Sequence, residues 1–274
     1  AFNTFKELEI NSLLITNIDN DHVDHFGSYT NLVQAFGTVI TNVKDKCVIN
    51  IDDTKLSTFL RSGDISYSSS KNSNYKINFP NSFNVDKKDY TITTKLIGEH
   101  FISNIVGAIA LANQNEISID QCLNAIKHFD GVKRRTEYIG DFNGTNFYDD
   151  YGHHPTEIKA TTKALKNNTS GKLIVIFQPH RFTRTRDNYE DLRNSFGHSD
   201  LTLITDIYSA GEKPIPGISS VMFEGKDIQY MKSPRLVPHF IKNNINPGDT
   251  VLTIGAGDIT LLGPQILKYL NENK

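Results

Sequence analysis

Tryptophan is absent from this 274-residue chain, and cysteine nearly so, with only Cys47 and Cys122. Two cysteines set inside apolar segments exclude a disulfide framework and are expected to be buried free thiols in a reducing cytoplasm. No apolar run approaches the roughly 18–20 residues that a membrane-spanning helix needs. The stretch AFNTFKELEI lacks the basic-then-apolar plan of a secretory signal. Excess charge is missing too: the formal net charge is −2 and the pI about 6.5, which argues against a nucleic-acid or membrane-surface binder. Several catalytic signatures are absent as well. There is no G-x-x-x-x-G-K-[ST] phosphate loop, GKL at 171–173 lacking the rest, no G-x-S-x-G elbow and no H-E-x-x-H. What remains is an ordinary globular balance, 38% hydrophobic and 22% charged, on a chain long enough for two modest domains or one large one.

The pattern along the chain is that of an α/β protein. SLLITNI (12–18) and CVINI (47–51) are contiguous apolar runs that predict buried strands. Between them a helix is expected from a Ser28 cap, with Leu32, Val33, Phe36, Val39, Ile40 and Val43 on one face. Residues 62–90 are polar with alternating patches such as YKINF, which predicts an excursion of short strands. Helices follow over 101–113 and after a Ser118 cap. The basic, glycine-containing segment FDGVKRRTEYIG (129–140) is expected to be the domain boundary. Beyond it strand and helix patterns alternate: NFYDD, a helix from Pro155, LIVIF, a helix after Asp187, LTLITD, a helix near 235–243, TVLTIGAGD and a last helix from about 259. That is the rhythm of a doubly wound parallel sheet, with Pro155 suited to a first helical turn.

Chemistry-bearing residues concentrate after these strands. YDDYGHHPTEI (148–158) and QPHRFTRTR (178–186) flank LIVIF, so both loops should sit at strand ends, where open α/β sheets bind ligands. Adjacent carboxylates and imidazoles are costly to desolvate, and they read as a site rather than as folding elements. Arg181 and Arg184 are three apart, so one helical turn would bring both to one face for a grip on a carboxylate. TNIDNDHVDHFG (16–27) offers Asp19, Asp21, His22, Asp24 and His25, either for a phosphate-bound divalent ion or as a solvated, turn-forming loop. GVKRR (131–135) is either a phosphate grip or a basic surface turn. GAGD (255–258) provides a tight turn with free backbone N–H groups, or a turn alone.

Taken together, TNIDNDHVDHFG, GEHFISNIVGAIALA, FDGVKRRTEYIG, DDYGHHPTEI, FQPHRFTRTRD, ITDIYSAGEKPIPG and GAGDI resemble the Mur ligase family, in order and over nearly the whole chain. The DDYGHHP and QPHRFTRTR pair is more similar to the alanine-adding branch than to those adding glutamate or a diamino acid. The resemblance implies an α/β fold: part of a central P-loop-type ATPase domain at 1–130 and a Rossmann-like, amino-acid-binding parallel-sheet domain at 131–274. The UDP-sugar domain and the phosphate loop would then lie outside these residues, leaving this stretch inactive by itself and an open sheet edge beside SLLITNI that invites self-association. The implied activity is ATP-dependent ligation of L-alanine to the carboxylate of UDP-N-acetylmuramate through an acyl phosphate, in cytoplasmic peptidoglycan precursor synthesis. ATP and Mg²⁺ would be the cofactors. By match to the family motifs, His22 would ligate Mg²⁺, Asn104 face adenine, Arg135 the terminal phosphate and Asp150 the ribose. Tyr151, His153, Arg181 and Arg184 would surround L-alanine. The chain departs from the family at Phe101, where many members have Asn, and in having no Lys between His22 and Lys44. A tripeptide-recycling ligase of the same family and a non-catalytic binding fragment are the alternatives.

Overall fold

Alternating apolar side chains on short parallel strands decide where the helices can lie. In the computed structural model, which describes residues 7–21 and 23–273 (backbone alone at Val23 and Asp24), the chain forms two compact units, 1–130 and 131–274. The first unit runs β1 (Leu13–Ile15), α1 (Val23–Phe26), α2 (Tyr29–Thr41), β2 (Cys47–Asn50), β3 (Ile65–Ser68), β4 (Tyr75–Asn78), β5 (Ser82–Val85), β6 (Lys88–Thr91), α3 (Glu99–Gln114) and α4 (Ile119–Lys127). Its sheet has the order β1-β2-β3-β4-β5-β6. Strands β1 to β4 pair in parallel, and β5 and β6 are added antiparallel. Because successive side chains point to opposite faces, Leu14 and Val48 join the core under α3, whereas Ile15, Cys47 and Ile49 join the core with α2 residues Leu32 and Ile40. Helix α2 starts as expected, with the Asn31 N–H donating to Ser28 Oγ at 3.1 Å. Helix α4 starts on a Ser118–Gln121 capping box. The one-turn helix α1 inside the 16–27 loop was not expected.

The second unit runs β7 (Glu137–Phe142), β8 (Thr145–Asp150), α5 (Pro155–Asn167), β9 (Leu173–Phe177), α6 (Phe182–Asp187), α7 (Tyr189–Arg193), β10 (Leu201–Ile204), β11 (Ile228–Tyr230), α8 (Val237–Asn244), β12 (Thr250–Ile254) and α9 (Leu262–Glu272). Strand order is β11-β10-β9-β12-β8-β7. Strands β8 to β12 are parallel, and β7 is an antiparallel edge strand. The last strand, β12, thus returns to the middle of the sheet, between β8 and β9. One face carries Phe147, Ile174, Ile176 and Val251 against α8 and α9. On the alternate positions Val175, Phe177, Leu252 and Ile254 are also buried, and the Phe177 ring packs 5.2 Å from that of Phe196. Two features differ from the sequence expectation. Strand β7 occupies part of the segment read as a boundary, because an edge strand with one wet face tolerates Glu137, Gly140 and Asp141. The helix placed after Asp187 is α7, from Tyr189, and a further short helix, α6, precedes it from Phe182.

Candidate functional site

In the second unit the parallel register aligns the ends of four strands: Asp150 pairs with Ile254, Ile254 with Phe177, and Phe177 with Ile204. The segments after them, 151–154, 255–258, 178–181 and 205–212, therefore leave the sheet along one edge, which is where open parallel sheets bind ligands.

Both aspartates of β8 are buried, and strand alternation sends them to different partners. Asp149, 2% exposed, accepts hydrogen bonds from Thr253 Oγ1 and Thr260 Oγ1, each at 2.7 Å. Arg134 Nε stands 3.4 Å from its Oδ2, an ionic contact rather than a hydrogen bond. Asp150, 4% exposed, accepts from the Gly152 N–H at 2.7 Å and from Thr136 N–H at 2.7 Å, with Thr136 Oγ1 at 3.2 Å and Thr161 Oγ1 at 3.4 Å. Burial pushes its carboxyl above the usual carboxylate range, outweighing the donors from Gly152 and Thr136. The expectation that these carboxylates are not needed for folding is corrected here: each ties one loop to the sheet. A ribose contact by Asp150 would have to be made by a carboxylate whose two oxygens are both engaged inside the unit.

The loop after β8 presents Tyr151 and His153. Their rings meet edge to face at 5.3 Å. His153 Nδ1 lies 3.1 Å from the Tyr151 carbonyl, which assigns the proton of the neutral ring to Nδ1. Glu157, one turn into α5, accepts the N–H groups of His153 and His154 at 3.0 and 3.2 Å and so holds the loop down. The guanidinium groups of Arg134 and Arg135 lie over the Tyr151 ring, 4.9 and 5.7 Å from its centroid. Arg135 is paired with Glu157 at 3.3 Å. Arg134 donates from Nη2 to the carbonyls of Gly255 and Gly257, at 2.6 and 3.3 Å. It thereby fastens the GAGD turn, which is the use the structure makes of that motif.

The second loop is clipped to the segment after β10. Arg181 N–H donates to the Tyr208 carbonyl and Tyr208 N–H to the Pro179 carbonyl, both at 2.8 Å. His180 stacks on Tyr208 with ring centroids 5.6 Å apart, and its ring lies 5.9 Å from that of His153. Burial, then the charge of Arg181, pushes the His180 imidazole below its usual value. Its Nδ1 is buried without a hydrogen-bond partner. Arg181 has a left-handed backbone (φ 68°) and precedes α6 rather than lying in it, while Arg184 falls inside that helix. The expectation of one helical turn carrying both is therefore corrected. Glu212 reaches this segment from the 205–217 loop, accepting from Thr183 N–H at 3.0 Å and Thr183 Oγ1 at 2.6 Å, with Arg181 Nε at 3.4 Å. Gln178, 8% exposed, completes the sheet end by donating to Asp258 Oδ1 at 2.7 Å and accepting the Ile259 N–H at 3.1 Å.

The structure thus brings together Tyr151, His153 and Arg181, with Arg135 and Arg184 on the adjoining segments. Sequence reasoning missed Arg134, Glu157, Gln178, His180, Tyr208 and Glu212 as site residues. All six lie inside the motifs singled out above, so the signal was present without its assignment. In the first unit, Asn104 lies on the exposed side of α3. His22 lies outside the described residues. Among the described residues no group of three His, Cys, Asp or Glu side chains converges to hold a metal ion, and no helix is long and apolar enough to cross a membrane.

Comparison with known proteins follows the same division. The Mur ligase middle domain matches residues 3–112, and the domain described as Mur ligase, glutamate ligase domain, matches residues 134–257. The chain is similar to the UDP-N-acetylmuramate–L-alanine ligase of Desulforamulus reducens, 31% identical over 98% of this chain. It is likewise similar to that of Allorhizobium ampelinum, 34% identical over 94% of this chain. It spans less than two thirds of the length of these curated relatives, 63% and 60% respectively. In fold it is similar to the crystal structure of UDP-N-acetylmuramate–alanine ligase from Thermotoga maritima, at TM-score 0.80 and 23% identity, covering 99% of this chain and 62% of that one. It is also similar in fold to the pseudomurein peptide ligase type C of Methanothermus fervidus, at TM-score 0.75 and 17% identity, covering 97% of this chain and 65% of that one.

Proposed function

Because the chain belongs to the Mur ligase family and carries its middle and C-terminal domains, we propose that it is the larger part of an ATP-dependent ligase that joins L-alanine to UDP-N-acetylmuramate in cytoplasmic peptidoglycan precursor synthesis. The muramate carboxylate takes the terminal phosphoryl group of ATP, giving an acyl phosphate and ADP. The amine of L-alanine then attacks the acyl carbon, and the tetrahedral intermediate collapses to amide and phosphate. Catalysis of this kind rests on positioning and charge neutralisation.

The observation that carries the amino-acid half of this reading is the gathering of Tyr151, His153, His180 and Arg181 at one sheet end, the ring contacts from Tyr151 through His153 to His180 spanning 5.3 and 5.9 Å. In the proposal Arg181 and Arg184 take the alanine carboxylate, and Tyr151 and His153 flank its amine and methyl group. Arg135 meets the terminal phosphate from an exposed position, steadied by Glu157. Asn104 faces adenine from α3. Asp150 acts on the nucleotide side through the backbone of Thr136 and Gly152 that it holds, since its own oxygens are engaged. Mg²⁺ would be held by His22, where it would neutralise phosphate charge. The chain alone is proposed not to complete the reaction, as its 274 residues contain no G-x-x-x-x-G-K-[ST] loop. Strand β1 ends the order of the first sheet, and self-association along that strand is part of the proposed behaviour.

Titration calorimetry of the chain with L-alanine tests the reading. Wild type is expected to give binding heat that Arg181→Ala abolishes; identical heats from the two proteins would refute the assigned pocket.

A further inference from the structure

Glu212 belongs to none of the roles assigned above, yet its carboxylate engages the segment that carries Arg181 and Arg184. It is delivered by a tight turn: Ala210 and Gly211 both have left-handed backbones, φ 49° and 87°, and the Glu212 N–H closes the turn on the Ser209 carbonyl at 3.0 Å. The carboxylate then divides its oxygens. Oε2 accepts the Thr183 N–H, while Oε1 accepts the Thr183 hydroxyl and stands 3.4 Å from Arg181 Nε. The side chain is 20% exposed and that of Arg181 39%, so the Glu212 carboxylate is the more buried member of the pair and meets the guanidinium at Nε. Arg181 needs such a brace. Its backbone is left-handed, which disfavours its conformation, and its N–H donates to the Tyr208 carbonyl at 2.8 Å.

We infer that Glu212 is the positioning residue for Arg181: it fixes the guanidinium from its Nε side in the orientation that receives the carboxylate of the amino-acid substrate, without touching that substrate. The inference rests on the assignment of Arg181 to the amino-acid carboxylate. Glu212→Gln keeps an oxygen for the Thr183 N–H but removes the charge beside Arg181. Glu212→Asp keeps the charge on a shorter arm. Binding of a carboxylate by a guanidinium that has lost its orienting charge is expected to weaken about three- to tenfold.

The test combines L-alanine calorimetry on wild type, Glu212→Gln, Glu212→Asp and Arg181→Ala with ¹⁵N spectra of the Arg181 Nε–H and Thr183 N–H in the absence of ligand. Expected are displaced Arg181 Nε–H and Thr183 signals in Glu212→Gln, a three- to tenfold higher Kd, and partial recovery of both in Glu212→Asp, with the remaining spectrum unchanged. Unmoved Arg181 and Thr183 signals would overturn the role, whatever happens to affinity. So would an unchanged Kd in Glu212→Gln beside lost binding in Arg181→Ala, and that result would leave the pocket itself intact. A wild-type chain that binds no L-alanine would refute the pocket, and this role would fall with it.

Discussion

Gly257→Ala should dismantle the strand-end cluster although it removes no functional group. A methyl built at 257 stands 2.3 Å from Gln178 Oε1, 2.6 Å from Tyr208 Cγ and 2.8 Å from Tyr208 Cβ. The backbone there has φ −90°, so the cost is steric and not conformational. Two side chains must give way. Tyr208 would have to leave its stack on His180. Gln178 would release the Ile259 N–H, and an unpaired buried donor costs about 1–3 kcal/mol. Overpacking adds about 1–3 kcal/mol, and the stiffer unfolded chain returns about 0.4–1 kcal/mol. The net expectation is a loss of about 1–5 kcal/mol in the unit of residues 131–274. Gly197→Ala is the control: its φ is −61° and nothing lies within 4 Å of the added carbon, so the change should stay within about 0.5 kcal/mol. Urea unfolding followed by circular dichroism, with hydrogen exchange of the β9 and β12 amides to locate the change, measures both. The His180 pKa supplies a second readout and should rise towards its ordinary value as the ring is uncovered. Equal stability of the two alanine variants would refute the packing argument.

Two further outcomes follow from the same geometry. Arg134→Lys should cost about 2–4 kcal/mol by urea unfolding, because one ammonium cannot serve the Gly255 and Gly257 carbonyls while neutralising the buried Asp149; a loss under about 0.5 kcal/mol would count against the clamp. The His180 pKa is lowered in the folded protein, so its contribution to stability is complete above the ordinary value of 6.5 and is lost as pH falls from there through the folded value. The difference in urea midpoint between wild type and His180→Phe should therefore shift against wild type between pH 7.5 and about pH 5, and a constant difference would sink the assignment.

Long apolar strands and capped helices were legible in the sequence because each rests on a local rule. LIVIF and TVLTI are buried along their whole length, and Ser28 and Ser118 cap as their side-chain chemistry predicts. Strand β7 was not legible, since an edge strand wet on one face has neither a contiguous apolar run nor strict alternation. Arg181 defeated the helical reading of QPHRFTRTR for a tertiary reason. Its N–H is taken by the Tyr208 carbonyl, a partner no local pattern announces, and the helix can begin only after it. For the site, the motifs located the right loops but could not divide their charges into those presented to a ligand and those spent inside the protein. Asp149 and Asp150 are adjacent in sequence and alike in chemistry, and only strand alternation separates them, one to Thr253 and Thr260, the other to Thr136 and Thr161.

That division follows a rule visible in the backbone. Four non-glycine residues at this sheet end have left-handed conformations: Arg134 at φ 58°, Thr136 at 49°, Arg181 at 68° and Ala210 at 49°. Each such residue costs on the order of 1–3 kcal/mol and persists only where its surroundings hold it. Ala210 sits in a turn closed by the Glu212 N–H on the Ser209 carbonyl, whereas at the other three a carboxylate from another part of the chain or a neighbouring turn is engaged. Arg134 N–H donates to Glu137 Oε2 at 2.7 Å and its guanidinium faces Asp149. Thr136 N–H donates to Asp150 at 2.7 Å, and Arg181 is braced by Glu212 at 3.4 Å. The turns that carry basic side chains over the strand ends are thus strained, and acidic residues hold the strain. An amide in place of any of these carboxylates would remove one anion from a cationic site, which by charge alone should favour an anionic ligand. If the carboxylates act as holders, affinity must instead fall, because the guanidinium groups lose their geometry before the gain in charge is felt.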